Sequence, residues 1–453
     1  MDGAIETYEQ AIEFLYARIN YERLRGDLLA VDDFKLDRMA HLLDRLGNPH
    51  ADIPVVHVAG SKGKGSTAAM IAAGFTAAKC RTALFTSPHI EFFEERMTVD
   101  GIRPTREAMI GLVNEMAKVV REIQHEPGRV SPTYFELATA IAWRYFLGCQ
   151  ADLAVLEVGL GGRLDATNIC HPSVSVITTI SRDHTRLLGS DLSSIAREKA
   201  GIIKPAIPVV CGVTDDEALA TILSICNDLE TDAWRLGHEI RFTHNRDRHT
   251  VCVETPRRRW PEVTVPLPGR HQASNTALAM AAIDRMQQPM NDNSADAAVK
   301  GIAEVRWPVR IEVMSQSPTV VLDAAHNWAS IQALLETLDE DFPARRRVLV
   351  FATSRDKDAD GLLRRLLPRF DTIVLTQFLD NPRAVPAEDL HRRVREVFGV
   401  PVHATPDPST AWRLARRLAG PEDLICVTGS FFIAAEIREL IIDAPQSLPA
   451  GTF

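Results

Sequence analysis

A strand, a glycine-rich turn and a helix follow one another in residues 55–75, VVHVAGSKGKGSTAAMIAAGF. Glycines let backbone N–H groups approach phosphate oxygens, and the start of the helix adds positive potential. The lysine adds a charge, and a hydroxyl just beyond it can reach Mg²⁺. The turn is therefore predicted to bind a nucleotide phosphate through Gly60, Gly63, Lys64, Gly65, Ser66 and Thr67.

The spacing of this turn departs from the usual P-loop pattern. With Lys64 in the lysine position, the first glycine of the pattern falls at Val58, and Gly65 stands where Ser or Thr is expected. The turn is a shortened variant, GxxGKGST. The alternative is a structural turn before a helix in any α/β protein. The order of strand, glycines, lysine and hydroxyls favours the phosphate site.

Two further polar residues stand at the ends of predicted parallel strands, where ligands of open α/β sheets bind. Glu157 ends the apolar run DLAVLE, and a buried carboxylate is costly unless it meets a cation. Glu157 is thus a candidate Mg²⁺ ligand, with an ion pair to Arg163 as the alternative. His184 follows the strand SVSVITTI and Asp183, and it is either a ligand or a loop histidine.

A second α/β alternation begins near residue 307, after the polar break QQPMNDNS. We predict two domains, 1–306 and 307–453. Arg310 and the run DAAHN, with Asp323 and His326, open the second domain at the end of a strand. A phosphate site in one domain and these groups in the other predict a cleft that closes over ATP.

The predicted elements alternate along the chain as in α/β proteins. Helices are predicted at 106–123, 132–146, 192–200 and 273–286. Strands are predicted at 55–59, 81–86, 152–158, 173–180, 207–213, 318–323, 346–352, 371–376 and 423–428, a hairpin at 239–255, and loops at 94–96 and 266–272.

Composition limits the class of protein. The net charge of −9 argues against a general nucleic-acid binder, and no apolar run is long enough to span a bilayer. The seven cysteines are scattered singly, which predicts a reducing compartment with no disulfide framework or structural zinc site. The acidic N-terminus lacks a signal-peptide pattern. A cytoplasmic protein without membrane or nucleic-acid partners is expected.

Several motifs together resemble the folylpolyglutamate synthase/dihydrofolate synthase family of the Mur ligase superfamily. They are HVAGSKGKGST, TSPH, PTYFELATAIA, VLEVGLGGRLDATN, REKAGIIK, PGRHQASNTALA, RWPVRIEV, DAAHN and VTGSFF. The resemblance covers almost the whole chain. It implies an α/β fold of Mur ligase architecture, in which a P-loop NTPase-like parallel-sheet domain precedes a smaller Rossmann-like domain that ligates glutamate. It also suggests a monomer.

The resemblance implies roles for individual residues. Lys64 would hold the ATP phosphates, and Ser66, Glu157 and His184 would bind Mg²⁺. Lys199 matches a lysine that is carbamylated in the superfamily, and as a carbamate it would bind a second Mg²⁺. Without the resemblance, the sequence predicts that Lys199 is a solvated lysine on a helix. Residues matching nucleotide or cleft contacts are Gln272, Asn275, Arg310, Asp323 and His326. Pterin contacts are expected near Ser87, Pro88 and His89.

The implied reaction joins L-glutamate to a folate or dihydropteroate carboxylate. ATP phosphorylates the carboxylate, and the glutamate amine displaces phosphate from the acyl phosphate. Such chemistry needs charge stabilisation rather than a protein nucleophile. The sequence departs from the family at Lys62, Val309, Ala324 and Trp328, where Asn, Gly, Gly and Pro are usual. These departures bear on amino-acid specificity.

Three alternatives stay open at this point. The phosphate turn alone fits a small-molecule kinase or plain P-loop ATPase equally well, but that reading leaves Lys199, Arg310 and Asp323 unexplained. A Mur-type ligase with a different acceptor keeps every predicted role. A nucleotide-dependent switch is the third, although no guanine-specificity motif is present. Which folate substrate is extended is not decided by the sequence.

Overall fold

The computed structural model describes residues 4–22, 35–128, 130–286, 292–395 and 401–443. The chain divides into two compact units. The first comprises residues 1–266 and 270–306, and the second comprises residues 267–269 and 307–453. Each unit has its own sheet and its own hydrophobic core.

The first unit is built on a seven-stranded sheet. In chain order its strands are β1 Val55–Ala59, β2 Thr82–Phe85, β3 Met97–Val99, β4 Leu153–Glu157, β5 Val174–Ile177, β6 Val209–Cys211 and β7 Ala233–Arg235. Their spatial order is β3-β2-β4-β1-β5-β6-β7, and every pairing except that of β2 with β3 is parallel. Strands β1, β4 and β5 are buried throughout, because helices cover both faces of the sheet. Their carboxyl ends therefore lie side by side.

Helices and a small antiparallel sheet complete the first unit. The helices are α1 Tyr8–Tyr16, α2 Leu36–Arg45, α3 Lys64–Ala77, α4 Arg106–Gln124, α5 Tyr134–Gly148, α6 Thr185–Leu188, α7 Leu192–Ala200, α8 Asp216–Asp228, α9 Arg270–Arg285 and α10 Asp292–Ala303. The small sheet contains β8 Arg241–Asn245, β9 Thr250–Glu254 and β10 Val263–Thr264. Helix α3 is buried on nearly all sides. A Cβ at Gly301 of α10 would collide with the Ala73 carbonyl, so a glycine is needed for the two helices to approach closely.

The second unit contains a six-stranded sheet. Its strands are β11 Glu312–Gln316, β12 Thr319–Leu322, β13 Arg347–Phe351, β14 Thr372–Leu375, β15 Val402–Ala404 and β16 Leu424–Thr428, in the spatial order β11-β12-β16-β13-β14-β15. Only β11 pairs antiparallel. The helices are α11 Trp328–Asp341, α12 Ala359–Leu366, α13 Ala387–Arg395, α14 Pro408–Leu418 and α15 Phe431–Ile442. The last strand inserts between β12 and β13, which places the starts of α11 and α15 beside each other.

The α/β fold is confirmed, and most predicted elements occur near their predicted positions. Helix α7 has the predicted bounds, and 239–255 is a hairpin. The loop prediction for 266–272 is wrong at its end, because α9 already begins at Arg270, directly after Gly269 with φ +101°. The loop prediction for 94–96 is also wrong, because these residues belong to a 3₁₀ turn, Phe93–Arg96.

Within the described residues, no helix is both long and apolar enough to cross a membrane. All seven cysteines are free thiols.

Candidate active site

The phosphate-type turn links β1 to α3, and two of its glycines are required by its geometry. Gly63 has a φ of +81°, and a Cβ there would collide with the Asn275 side chain. Gly60 has a φ of +151°, and a Cβ there would collide with the Thr178 hydroxyl. Any other residue at these positions would strain the turn or displace a neighbour.

The end of β5 fixes the shape of this turn. The Ser61 amide donates to the Thr179 carbonyl at 2.7 Å, and the Lys62 amide donates to the Thr179 hydroxyl at 3.0 Å. The Thr178 hydroxyl donates to the Lys62 carbonyl at 2.6 Å. The turn is thus held by the residues that directly follow the neighbouring strand β5.

The start of α3 presents the predicted hydroxyls. Ser66 and Thr67 are both buried, and the Thr67 hydroxyl has no hydrogen-bond partner within the described part of the chain. On α9, the Asn275 amide donates to Gln272 at 2.9 Å. The sequence-predicted residues Gly63 and Asn275 are therefore in contact, and Gln272 is bonded to that pair.

Glu157 lies at the end of β4 beside the turn. Its side chain is buried, with 6% of the residue exposed, and its Oε1 lies 4.0 Å from Lys64 Nζ. The predicted alternative, an ion pair with Arg163, is wrong, because Arg163 bonds to Glu198 at 2.9 Å. A buried carboxylate with a cation at this distance fits a metal or phosphate site.

Lys199, in the last turn of α7, is only 5% exposed. Burial, followed by the positive charge of Lys64, lowers its pKa to about 7, and the carboxylate of Asp183 opposes this. The interpretation of Lys199 as a solvated helix lysine is therefore wrong. A lysine with this pKa carries a substantial neutral fraction near pH 7.

The loop after β4 packs against the end of α7 and supports Lys199. The Arg163 amide donates to the Glu198 carbonyl at 2.8 Å. A Cβ on Gly162 would lie 2.9 Å from the carbonyls of both Glu198 and Lys199, so a glycine allows this close packing. The side chain of Asp165 closes the loop by accepting the Leu160 amide at 2.9 Å.

The segment after β5 carries Asp183 and His184. Lys62 Nζ lies 3.0 Å from Asp183 Oδ2, so the unusual lysine of the turn pairs with this segment. His184 has a left-handed backbone with φ +50°, its ring is 39% exposed, and its Nε2 lies 3.8 Å from Asp183 Oδ1. The structure thus joins Lys62 to the segment that carries the predicted histidine ligand.

In the second unit, Asp323 organises the predicted residues around Arg310. Its carboxylate accepts the Ile311 amide at 3.0 Å and the Ala325 amide at 2.8 Å. Val309 and Ile311 flank Arg310 with φ values of +50° and +52°, which are strained for β-branched residues. The bond from the Ile311 amide to Asp323 helps to hold the backbone around Arg310 in this strained conformation.

His326 lies in the loop between β12 and α11. Its Nδ1 donates to the Ala324 carbonyl at 2.8 Å, so Nδ1 carries a proton. The Gly429 amide, at the end of β16, donates to the Ala325 carbonyl at 2.9 Å. Ser430 then caps α15 by accepting the Phe432 amide at 3.2 Å. The His326 loop and the start of α15 therefore form one connected edge of this unit.

Sequence reasoning missed the connection of Ser87 to the site. The segment after β2 was expected to contact a pterin. The structure shows the Ser87 amide donating to Glu157 Oε2 at 3.2 Å. Because β2 pairs directly with β4, the polar residues at the two adjacent strand ends, Ser87 shortly after β2 and Glu157 at the end of β4, are the signal that could have indicated this contact.

Comparison with known proteins identifies the two domains of the chain. Residues 58–283 match the Mur ligase middle domain, and residues 309–431 match the Mur ligase glutamate ligase domain. The chain is 33% identical over 441 residues to the dihydrofolate synthase/folylpolyglutamate synthase of Bacillus subtilis, covering 95% of this chain and 98% of that one.

Two solved structures are also similar along nearly the full length. A Mycobacterium tuberculosis folylpolyglutamate synthase complexed with ADP has a TM-score of 0.87 at 33% identity, with 97% of this chain and 99% of that one covered. A bifunctional folylpolyglutamate synthase/dihydrofolate synthase with Mn, AMPPNP and L-glutamate bound has a TM-score of 0.82 at 28% identity, with coverages of 97% and 99%.

The two matched domains define an ATP-dependent ligase of the Mur type. Within that class, the chain belongs to the dihydrofolate synthase/folylpolyglutamate synthase family. The predicted family is confirmed.

Proposed function

We propose that this enzyme uses ATP and Mg²⁺ to add L-glutamate to the carboxylate of a folate or of dihydropteroate. The observation that carries the proposal is the convergence of Lys64, Glu157 and Lys199 beside the glycine-rich turn. We assign ATP binding to residues 1–306 and glutamate ligation to residues 307–453.

The reaction proceeds in two balanced steps. An oxygen of the substrate carboxylate attacks the γ-phosphorus of ATP, and ADP leaves, giving an acyl phosphate. The amine of glutamate then attacks the acyl carbon, loses a proton, and expels inorganic phosphate as the amide forms. Lys64 and the backbone amides of the turn stabilise the negative charge that develops on the transferred phosphoryl group.

The donors present suit Mg²⁺, which prefers oxygen ligands and neutralises phosphate charge during transfer. Ser66, Glu157 and His184 would hold the first ion, as the sequence predicts. The contact of Ser87 with Glu157 adds Ser87 as a candidate for the same site. A second ion would be held with the help of Lys199.

Lys199 would serve a metal as a carbamate. Its ammonium first loses one proton; the neutral amine then attacks CO₂, forms an N–C bond and releases a second proton, so that a cation becomes a carbamate anion. The burial of Lys199 and the nearby positive charge of Lys64 favour the neutral amine that this step needs. Bicarbonate in the assay should therefore increase activity.

The second unit would contribute to both substrates. We assign Arg310 and Asp323 to the nucleotide, with Arg310 donating to phosphate oxygens. We assign His326 and the start of α15 at Ser430 to the glutamate site. The positive end of α15 suits a carboxylate, and the His326 loop is bonded to the same edge.

The competing candidates are a small-molecule kinase or P-loop ATPase and a Mur-type ligase with another acceptor. A kinase does not require Lys199 or the Arg310 turn. The decisive test measures phosphate release with ATP, Mg²⁺ and L-glutamate, offering dihydropteroate or a reduced folate, and weighs the products. Release that depends on both substrates, with a product one glutamyl unit heavier, supports the proposal.

Two outcomes would contradict it. Phosphate release without glutamate favours the kinase or ATPase, and no phosphate release with either pterin points to another acceptor. Lys64→Ala should abolish amide synthesis, whereas Lys79→Ala, at an exposed lysine beyond α3, should not.

A monomeric state and a cytoplasmic location remain predictions, and light scattering on the purified protein tests the first.

A further inference from the structure

The side chain of Arg96 is buried in the first unit, where it makes hydrogen bonds and an aromatic contact. Only 1% of it is exposed. Its two terminal nitrogens donate to the Glu22 carboxylate at 2.9 and 2.6 Å, and its Nε donates to His89 Nδ1 at 2.7 Å. Its guanidinium lies 5.3 Å from the centre of the Tyr134 ring. None of the assigned roles uses this arginine.

These bonds fix the state of His89. Because arginine has donors only, His89 Nδ1 must accept and therefore carries no proton. The ring is neutral, with its proton on Nε2, which donates to the Tyr16 hydroxyl at 3.1 Å. One rotamer and one tautomer of His89 satisfy both partners.

Arg96 holds the segment after β2 at two points. Its carbonyl accepts the Thr86 amide at 2.9 Å, and its side chain holds His89. Ser87 lies between these points. Just beyond them, the Glu95 carboxylate accepts the amides of Ile90, Glu91 and Phe92 at 2.7, 3.2 and 3.0 Å. The path of the backbone through Ser87 is thus determined by the 3₁₀ turn that carries Glu95 and Arg96.

The Ser87 amide connects this segment to the candidate metal site. It donates to Glu157 Oε2 at 3.2 Å, while Oε1 of the same carboxylate faces Lys64 at 4.0 Å. The Glu157 carboxylate cannot rotate without losing this bond to the Ser87 amide. The orientation of Glu157 therefore depends on the position of Ser87.

We propose that Arg96, acting through His89 and the Ser87 amide, is a positioning residue that orients the Glu157 carboxylate for a divalent metal ion. This inference rests on the proposed role of Glu157. Residues that orient a metal ligand typically change metal affinity or activity by about 10–100-fold when they are altered. Glu22 and Tyr16 support the same bond network from the N-terminal segment.

The test uses a matched pair of variants at His89. Asn keeps an acceptor close to the position of Nδ1, whereas Leu has a similar size and no acceptor. Mn²⁺ binding is measured on the full-length protein by the electron paramagnetic resonance signal of free Mn²⁺, without pterin or glutamate. We expect His89→Leu to weaken Mn²⁺ binding about tenfold and His89→Asn to restore most of it.

A control variant tests whether any change in this segment has the same effect. Arg103 lies 3.8 Å from Glu95 but does not hold His89, so Arg103→Lys should leave Mn²⁺ affinity unchanged. Thermal unfolding of each variant shows whether it is folded. In folded protein, equal Mn²⁺ affinity in His89→Leu and wild type, or equal losses in Leu and Asn variants, overturns the inference.

The ligase assay separates this inference from the proposed function. If wild type forms the glutamylated product but the His89 variants bind Mn²⁺ equally well, the positioning role fails and the function stands. If wild type forms no such product yet His89→Leu alone binds Mn²⁺ weakly, the function fails and the positioning of Glu157 stands. In active wild type, the Mg²⁺ concentration at half-maximal rate should rise about tenfold for His89→Leu.

Discussion

Lys199 lies in the last turn of α7, where it is buried and has a lowered pKa. Its burial arises from the packing of the loop 159–165 on α7, and Lys64, the largest source of electrostatic repulsion, lies far away in the chain. Tertiary packing, rather than local pattern, creates its low pKa.

A buried lysine with a low pKa should destabilise the ligand-free protein. Between about pH 7 and its ordinary value of 10.5, the unfolded chain binds the proton that the folded chain has released. The contribution of Lys199 to stability therefore rises with pH across this window, and its penalty is complete below pH 7. In CO₂-free buffer, Lys199→Met should raise the free energy of unfolding by roughly 2–5 kcal/mol at pH 6.

Urea denaturation at pH 6 and pH 9.5 checks this expectation. The gain should shrink markedly at pH 9.5, and Lys118→Met, at an exposed position on α4, should show neither the gain nor its pH dependence. An equal gain in the free energy of unfolding at both pH values would show that the effect comes from packing rather than from charge.

Lys199→Met should also lose ligase activity, since methionine cannot form a carbamate.

Gly63 and Gly111 form a second contrast at the scale of single residues. Gly63 combines a φ of +81° with a neighbour that a Cβ would strike, whereas a Cβ on Gly111 of α4 would meet nothing within 4 Å. Gly63→Ala should cost about 1–3 kcal/mol and weaken ATP binding. Gly111→Ala should stabilise by about 0.5–1 kcal/mol, because alanine is the better helix former.

Denaturation and nucleotide titration of both variants provide the measurement. Two stabilising substitutions would contradict the strained backbone described for the turn. Two destabilising substitutions would contradict the open surroundings of Gly111. Gly63 lies in the predicted phosphate-binding turn, between a strand and a lysine, whereas Gly111 lies within the predicted helix 106–123.

At the scale of elements, strand β5 and the residues that follow it hold the phosphate-type turn. Thr178, directly after β5, donates to the Lys62 carbonyl, and its hydroxyl occupies the space that a side chain at Gly60 would need. Removing one neutral hydrogen bond costs about 1 kcal/mol. Thr178→Val should therefore lower stability by about 1 kcal/mol and weaken ATP binding several-fold, because the turn loses its fixed shape.

Thr178→Ser provides the matched variant, since it keeps the hydroxyl and loses a methyl group. Isothermal titration with a non-hydrolysable ATP analogue should place Ser near wild type and Val well below it. Equal affinities for Val and wild type would show that the strand contributes to packing alone.

Element prediction succeeded where burial and periodicity agreed. The central strands are continuous apolar runs, and α7 begins with an Asp191 cap. It missed β11 and β15, whose residues are half-exposed and lack a strong alternation. The short strands β3 and β7 were missed because no local sequence pattern marks them. They are defined by their pairing with the neighbouring strands β2 and β6.

At the scale of the whole molecule, the polar break near residue 290 and the renewed alternation after 307 predicted two domains. The compact units divide at Trp307, except that residues 267–269 belong to the second unit. The sequence could not reveal that exchange, because PLPG reads as a loop of the first domain. Which atoms of Glu157 and His89 are bonded likewise depends on strand order, which the sequence pattern does not specify.

The last prediction concerns the complete reaction, for which the proposed function requires residues of both units. If the carboxylate is activated as an acyl phosphate, one of its oxygens must leave with the inorganic phosphate. A folate or dihydropteroate labelled with ¹⁸O in the reactive carboxylate should therefore transfer one ¹⁸O to phosphate and keep the other in the amide carbonyl. Mass spectrometry of both products measures this transfer.

The reciprocal experiment uses ¹⁸O water with unlabelled substrate, and the phosphate should then remain unlabelled. Hydrolysis of ATP by water gives the opposite pattern, with label entering phosphate from the solvent. If the labelled carboxylate forms the amide but the released phosphate carries no ¹⁸O, the acyl phosphate is excluded as an intermediate. In that case the γ-phosphoryl group would not be transferred to the carboxylate. The proposed roles of Lys64 and Glu157 in that transfer would be wrong, and the carboxylate would have to be activated in another way.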